Sequence, residues 1–411
     1  MNSRRKAFLA VSGWLLALTL MFSTFGYNHV LRFWNIPAMS PCFADLRVIT
    51  HGADAAAKRF DPMLNNASDP WRRSLNYPRL WQCIYYFGIN KSDTIWLGFT
   101  IILLFLVGIV MILPNARNRT ILLVLGVITS PAVVLGMERA NIDLFIFFLL
   151  SLSIIISRKS LFAAGGVIAF ATALKLFPLF AISLFLKLEK KPFIAYFFGF
   201  FAFVILYFIV IWSDLALISQ ATPRATDLSY GMNVGWMQMQ KLNPLLGLLF
   251  HVVAIITIVS SVFLFFLGCK YEVSNNIVKN DANSISLDSF RVGAAVYLGT
   301  FLLGNNYDYR LSFLILCIPQ LSYWIESCDS KLKWYSIIAL CSVLLSVWYL
   351  IFSRAWGILS SKLSPWISLP DLFPWFLDEI YNYIVFILLV YLFSITLPQW
   401  IKKSILCYTK I

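Results

Sequence analysis

Four short stretches carry ionisable and amide side chains where long apolar runs begin or end. FADLR holds Asp45 and Arg47, with His51, Asp54 and Asp61 downstream. A carboxylate placed there has the chemistry of a general base for a hydroxyl, provided its pKa and geometry suit the step. A solvated loop acid is the plainer use of the same residue, and Asp61 and Asp69, each before a proline, suit turn initiation. GMERANID joins two apolar runs with Glu138, Arg139, Asn141 and Asp143. Charges so near hydrocarbon are costly unless paired or facing a polar cavity. Arg139 therefore either pairs with Glu138 or Asp143, or offers its fixed fork of donors to a phosphate. Lys175 interrupts an almost uncharged stretch in ATALKLFPLF, either snorkelling to the surface or meeting a phosphate at a broken helix. LGNNYDYRLSF brings Asn305, Asn306, Tyr307, Asp308, Tyr309 and Arg310 to a helix end, where Tyr and Arg also serve as interface anchors. Three basic residues at three helix ends, Arg139, Lys175 and Arg310, are expected to form one anion site.

The elements that must position these residues follow from composition. Of 411 residues, 60% are hydrophobic and 13% charged, and mean hydropathy is +0.78, values no soluble chain of this length has. The chain reads as an all-α, polytopic membrane protein. Aromatics at 17% suit helices facing acyl chains with ring-rich ends. The net charge of +14 would suggest nucleic acid in a soluble domain. Here the basic residues lie between apolar runs and read as orientation signals, so no nucleic-acid partner is expected.

Apolar runs fall at about 7–22, 94–113, 121–136, 142–157, 161–174, 176–186, 193–212, 245–268, 290–303, 311–325, 334–350 and 380–397, predicting about twelve transmembrane helices. Several are shorter than the ~20 residues that cross ~30 Å of hydrocarbon, and 161–186 splits near Lys175 to Pro178. Arg4, Arg5 and Lys6, then Arg117, Arg119, Arg158, Lys159, the KLEKK of 187–191, and Lys402, Lys403 and Lys410 mark the cytoplasmic side. Both termini are then cytoplasmic, and the first run is an uncleaved helix rather than a signal peptide. The loop 23–93 falls outside, with an interfacial helix at about Leu46 to Lys58 and a ring-rich segment after NYPRLW. Further outer loops cover 213–244 and 354–379, and the polar segment 269–291 reads as a cytoplasmic linker. The outer face, enlarged in this way, is where a membrane enzyme would build its pocket.

The fragments FADLRVI with FDP at 60–62, LNYPRLW at 75–81, ERANIDLFIFFLL at 138–150, ALKLFPLF at 173–180 and GNNYDYRLSFL at 304–314 resemble those of the GT-C integral membrane glycosyltransferases. The resemblance is to the polyprenyl-phosphate-mannose-dependent mannosyltransferases of glycosyltransferase family 87 and their less characterised relatives. Each motif is degenerate, and the signal lies in their order over about the first three quarters of the chain. The family commonly has two prolines where this chain has Pro78 and Arg79, and a glycine where it has Ala140 before Asn141. The resemblance implies a GT-C-like fold and inverting transfer of mannose or another sugar from a polyprenyl-phosphate donor to a lipid or glycan acceptor. It implies Asp45 as the base and Arg139, Lys175 and Arg310 around the donor phosphate. Arg47, Asn76, Tyr77, Asn141, Asp143, Asn306 and Tyr309 would support them, with membrane lipids around the tail.

A transporter or flippase of a lipid-linked or small polar substrate is the competing class, since many crossings and buried charges suit it equally. An assembly protein of the envelope with a decayed site is a third. No GxxxxGK[ST], GxGxxG or HExxH occurs, so an ATP motor, a dinucleotide domain and that type of zinc protease lack support. Seven cysteines without CxxC and three histidines make a Cys/His metal site improbable. Acidic loop residues leave a divalent cation open without demanding one. Cys42 and Cys83 share the outer side, where a disulfide would pin the loop if their geometry allowed it.

Overall fold

The computed structural model describes residues 3–114, 116–271, 285–327, 330–363, 370 and 372–408. Among them the chain is helical almost throughout. One antiparallel pair of two-residue strands, Ser229–Tyr230 with Asn306–Tyr307, joins two distant loops.

Five helices are long and apolar enough to cross a membrane: Arg4–Phe25, Lys91–Met111, Lys190–Val210, Pro244–Lys270 and Phe373–Ile395. Two further pairs, Asn118–Ile128 with Pro131–Arg139 and Lys331–Val347 with Tyr349–Leu363, bend by 57° and 63° and bring the number to seven if each is one span. The sequence suggested about twelve. The difference lies in runs such as Ile142–Ile156, Leu161–Leu174 and Phe177–Lys187, which are apolar but short. Ile142–Ile156 is buried on most of its surface, with Leu144, Ile146, Phe147, Leu150 and Ile154 at 0% exposure. Hydrophobicity all round a helix reports burial in protein as well as in lipid.

Lys190–Val210 shows the opposite case, with only Val204 buried. Pro244–Lys270 is mostly exposed but buries Gly247, Ala254, Ser261 and Gly268 at seven-residue intervals. A Cβ on Gly268 would fall 1.8 Å from Ser394 Oγ, so this small-residue stripe lets the helix approach Phe373–Ile395 closely.

The segment 161–187 is two elements. The helix ends at Leu174, Lys175 is extended (φ −159°, ψ 129°), and a 3-10 helix runs Phe177–Lys187. Pro178 lacks the N–H that would continue the α-helix and disfavours helical backbone at Phe177.

The first loop folds as helices Tyr27–Phe33 and Ala44–Ala57 and a 3-10 helix Arg79–Phe87. The 213–244 segment holds helices Trp212–Ala221 and Val234–Leu242 around the Ser229–Tyr230 strand. Within 354–379, helices cover 354–363 and 373–379, while 364–369 and 371 lie outside the described residues, as do 272–284 of the 269–291 linker and Lys410. Cys42 and Cys83 are both free, so the disulfide considered for them is not made.

Phe43, in a left-handed conformation (φ 62°), starts the Ala44–Ala57 helix, and its ring lies over Gly98 and edge-on to Phe99. A Cβ on Gly98 would sit 2.4 Å from that ring. Gly98→Ala is therefore expected to cost about 1–3 kcal/mol by overpacking. Its melting temperature should fall below wild type, and an unchanged melt would show that the ring moves freely.

Candidate functional site

Four separated segments meet: the first loop, the corner at 139–143, the break at Lys175 and the 300–310 stretch. The junction of Pro131–Arg139 and Ile142–Ile156 is a tight corner. Ala140 is left-handed (φ 42°), Asn141 donates its N–H to the Gly136 carbonyl at 2.9 Å, and the Asn141 side chain caps the next helix by accepting from Asp143 N–H at 2.9 Å. That corner aims Asn141 and Asp143 at the first loop and at Lys175. Glu138 fastens the loop to it: Met39 N–H donates to Glu138 Oε1 at 2.9 Å and Phe43 N–H to the Glu138 carbonyl at 3.1 Å.

Asp45 lies in the first turn of its helix, where the backbone dipole favours a carboxylate. Its Oδ2 accepts from Asn141 Nδ2 at 2.6 Å, and Arg73 Nη1 lies 3.7 Å from its Oδ1. The other end of Asn141 faces Lys175, whose Nζ is 3.4 Å from Asn141 Oδ1 and 2.6 Å from Asp143 Oδ1. Arg310 Nε meets Asp143 Oδ2 at 3.0 Å, and Arg310 Nη1 donates to Asn306 Oδ1. Asn306 is held in turn by donating to the Thr300 carbonyl at 2.6 Å. The Arg310 guanidinium lies 4.5 Å from the centroid of the Phe177 ring, and Lys175 Nζ lies 5.1 Å from that of Tyr77. Rings beneath cations fix their position without neutralising them.

The result is one connected string from Asp45 through Asn141 to Asp143, Lys175, Arg310 and Asn306. Asp143 is fully buried, whereas Asp45, Lys175 and Arg310 keep 22%, 15% and 14% of their side chains accessible. The accessible face thus presents one carboxylate and two cations, with the second carboxylate behind them as counter-charge. Such a face can take a proton from a hydroxyl and stabilise an anion beside it.

Among the described residues Arg139 makes no hydrogen bond or ion pair with Asp143, Lys175 or Arg310, and its Nη1 has no hydrogen-bond partner. Its Nε pairs with Glu138 Oε2 at 3.0 Å and its Nη2 donates to the Pro37 carbonyl at 2.8 Å, because the buried Glu138 needs a charge partner. Arg47 also turns away, donating from Nε to the Cys42 carbonyl at 2.8 Å. Tyr309 stacks on Tyr307 and packs against Gly136, a structural contact. Asn76 adjoins Tyr77, and its buried Oδ1 has no hydrogen-bond partner among the described residues.

Two arginines were not singled out from the sequence. Arg73 is held by Asp69 through Nε at 3.2 Å and Nη2 at 3.0 Å, donates to the Ala44 carbonyl, and so braces the residue before Asp45. Its signal is the WRR that follows the Asp69-Pro70 turn. Arg79, standing where the family commonly has a second proline, bridges Asp61 at 2.9 Å and the buried Asp214 at 2.7 Å, tying the first loop to the Trp212–Ala221 helix. Three more acids are buried, Asp308, Asp378 and Glu379. Ser346 Oγ donates to Asp378 at 3.3 Å, while Asp308 Oδ1 and Glu379 Oε1 have no hydrogen-bond partner among the described residues.

Asp45 and Asp143 are already engaged with donors and cations, and among the described residues no three His, Cys, Asp or Glu converge as metal ligands. The residues of this site therefore do not fit a divalent cation. No family model, curated protein or solved structure matches the chain.

Proposed function

We propose that the protein is a membrane-embedded glycosyltransferase of GT-C type that moves a sugar, with inversion, from a polyprenyl phosphate to a lipid or glycan acceptor. The observation that carries this reading is the string joining Asp45 to the Lys175 and Arg310 pair through Asn141. In the reaction the acceptor oxygen bonds to the anomeric carbon as the bond from that carbon to the phosphate oxygen breaks. Asp45 takes the acceptor's proton, and the departing polyprenyl phosphate keeps the electron pair. Lys175 and Arg310 stabilise its growing charge. The short apolar runs would complete a bundle of about twelve helices, oriented with both termini inside a bacterial inner membrane and the site on the outer face.

The test is transfer of labelled sugar from a panel of polyprenyl-phosphate sugars to extracted envelope lipids and glycans by purified protein. Arg310→Ala is expected to raise the donor KM by about ten- to a hundredfold, the worth of one charged hydrogen bond. An unchanged dependence on donor concentration removes Arg310 from the phosphate. Two helix pairs bent at 57° and 63° also favour a carrier, since broken helices build transporter sites. Substrate accumulation in sealed vesicles without covalent product would identify that function instead.

A further inference from the structure

The backbone break that presents Lys175 is held by side chains from other elements. A helix leaves its last carbonyls without an intrahelical partner, and in apolar surroundings each needs a donor from elsewhere. The helix Leu161–Leu174 ends at Leu174, and Lys175 N–H still reaches the Ala171 carbonyl at 3.0 Å. In an unbroken helix the Leu174 carbonyl would be served by residue 178, but Pro178 has no N–H to give. Trp81 Nε1 donates to that carbonyl instead, at 2.9 Å. The carbonyl before it, of Ala173, accepts from Tyr207 Oη at 2.6 Å. Two consecutive carbonyls next to the extended Lys175 are thus satisfied by side chains 93 and 34 residues away.

The two donors belong to elements that are themselves tied together. Trp81 is buried in the 3-10 helix Arg79–Phe87 of the first loop, with its ring edge-on to Tyr77, the same ring that lies beneath Lys175 Nζ. Tyr207 lies in the last turn of Lys190–Val210, so a span that buries only Val204 still reaches the site. That span leads through Ile211 into Trp212–Ala221, whose Asp214 takes Arg79 at 2.7 Å. The contacts close a ring. It runs from Leu174 to Trp81 and Arg79, across to Asp214, and back along the chain to Tyr207 and Ala173.

We propose that Trp81 and Tyr207 are positioning residues for Lys175, holding the break in the form that brings its ammonium to Asp143. With both carbonyls capped, residue 175 stays extended and its Nζ reaches Asp143 Oδ1 at 2.6 Å and Asn141 Oδ1 at 3.4 Å. Remove a cap, and a buried carbonyl is left unpaired at a cost comparable to the hydrogen bond itself, so the end of the helix moves toward another donor. Lys175 moves with it. The holding role stands on these contacts alone, while its consequence for donor use rests on the phosphate contact proposed above for Lys175.

The experiment reads Lys175 directly. Purified full-length protein in mild detergent is methylated with formaldehyde and a borane reductant, and the rate at each lysine is followed by mass spectrometry. Trp81→Phe and Tyr207→Phe each keep a ring and remove one donor. Each is expected to raise the methylation rate of Lys175 about tenfold, the worth of one hydrogen bond. Lys187 is the internal control, because it is 11% exposed and paired with Asp288 at 3.0 Å, much as Lys175 is 15% exposed and paired with Asp143. Its rate should stay at the wild-type value. Equal acceleration of both lysines reports general loosening and overturns the positioning role, and a wild-type rate at Lys175 in either variant overturns the role of that residue. In the transfer assay both variants should raise the donor KM, and Trp81→Phe should add nothing in a Lys175→Met background, since residues that act through one group are not additive. Selective exposure of Lys175 with an unchanged donor KM keeps the positioning role and removes Lys175 from the phosphate.

Discussion

In Asp45→Asn protein, sugar transfer is expected to fall by about 10²- to 10⁴-fold, the range that general-base catalysis contributes. The substitution keeps the side chain's size and can still accept from Asn141, whose Nδ2 lies 2.6 Å from Asp45 Oδ2 in the native protein. It removes the basic oxygen and the charge that faces Arg73 at 3.7 Å. That pair is partly exposed and therefore weak, so folding should be little affected. The paired measurement is product formation at saturating donor beside a melting curve of the same preparation. Wild-type turnover in the mutant would take the base role from Asp45. Loss of both activity and the folded state would instead make Asp45 a structural residue.

Asp143→Ala should have the largest effect on stability, about 3–5 kcal/mol, because it leaves Lys175 and Arg310 facing each other in a buried site without their shared counter-charge. The native carboxylate is fully buried and holds Lys175 at 2.6 Å and Arg310 at 3.0 Å. A double variant, Asp143→Ala with Lys175→Met, removes one of the two stranded cations and should recover at least half of the loss. Chemical unfolding in detergent measures both. If the single variant unfolds like wild type, the two cations are not held by Asp143, and their placement needs another explanation.

The sequence drew attention to Asp143, Lys175 and Arg310 because an ionisable residue at the end of an apolar run is conspicuous. Their common partner was less evident. GMERANID offers Arg139 both Glu138 and Asp143, and the left-handed turn at Ala140 decides the matter by sending Asp143 toward Lys175. Arg73 escaped notice because it stands among polar loop residues. Its contact with Asp45 exists only once 61–79 has folded back over the Ala44–Ala57 helix, where Leu75 N–H donates to the Pro62 carbonyl at 2.8 Å. Arg79 registered only as a missing proline, since its partner Asp214 is 135 residues away. The number of crossings is harder to read from sequence for a different reason. Ile142–Ile156 and the 3-10 helix at Phe177–Lys187 are as apolar as lipid-facing helices, yet both are packed in the protein interior.

Those two elements also set a length. Fifteen α-helical residues from Ile142 rise about 22 Å, and eleven 3-10 residues from Phe177 rise about the same. Each runs from the Asp143, Lys175 and Arg310 cluster toward Asp288, which pairs with Lys187 at 3.0 Å, so the two charged layers stand roughly 22 Å apart. A typical hydrocarbon core is ~30 Å thick. Because both elements are enclosed by protein, their short rise imposes no thinning on a bilayer, and the charges at their two ends are kept from hydrocarbon by the side chains packed around them.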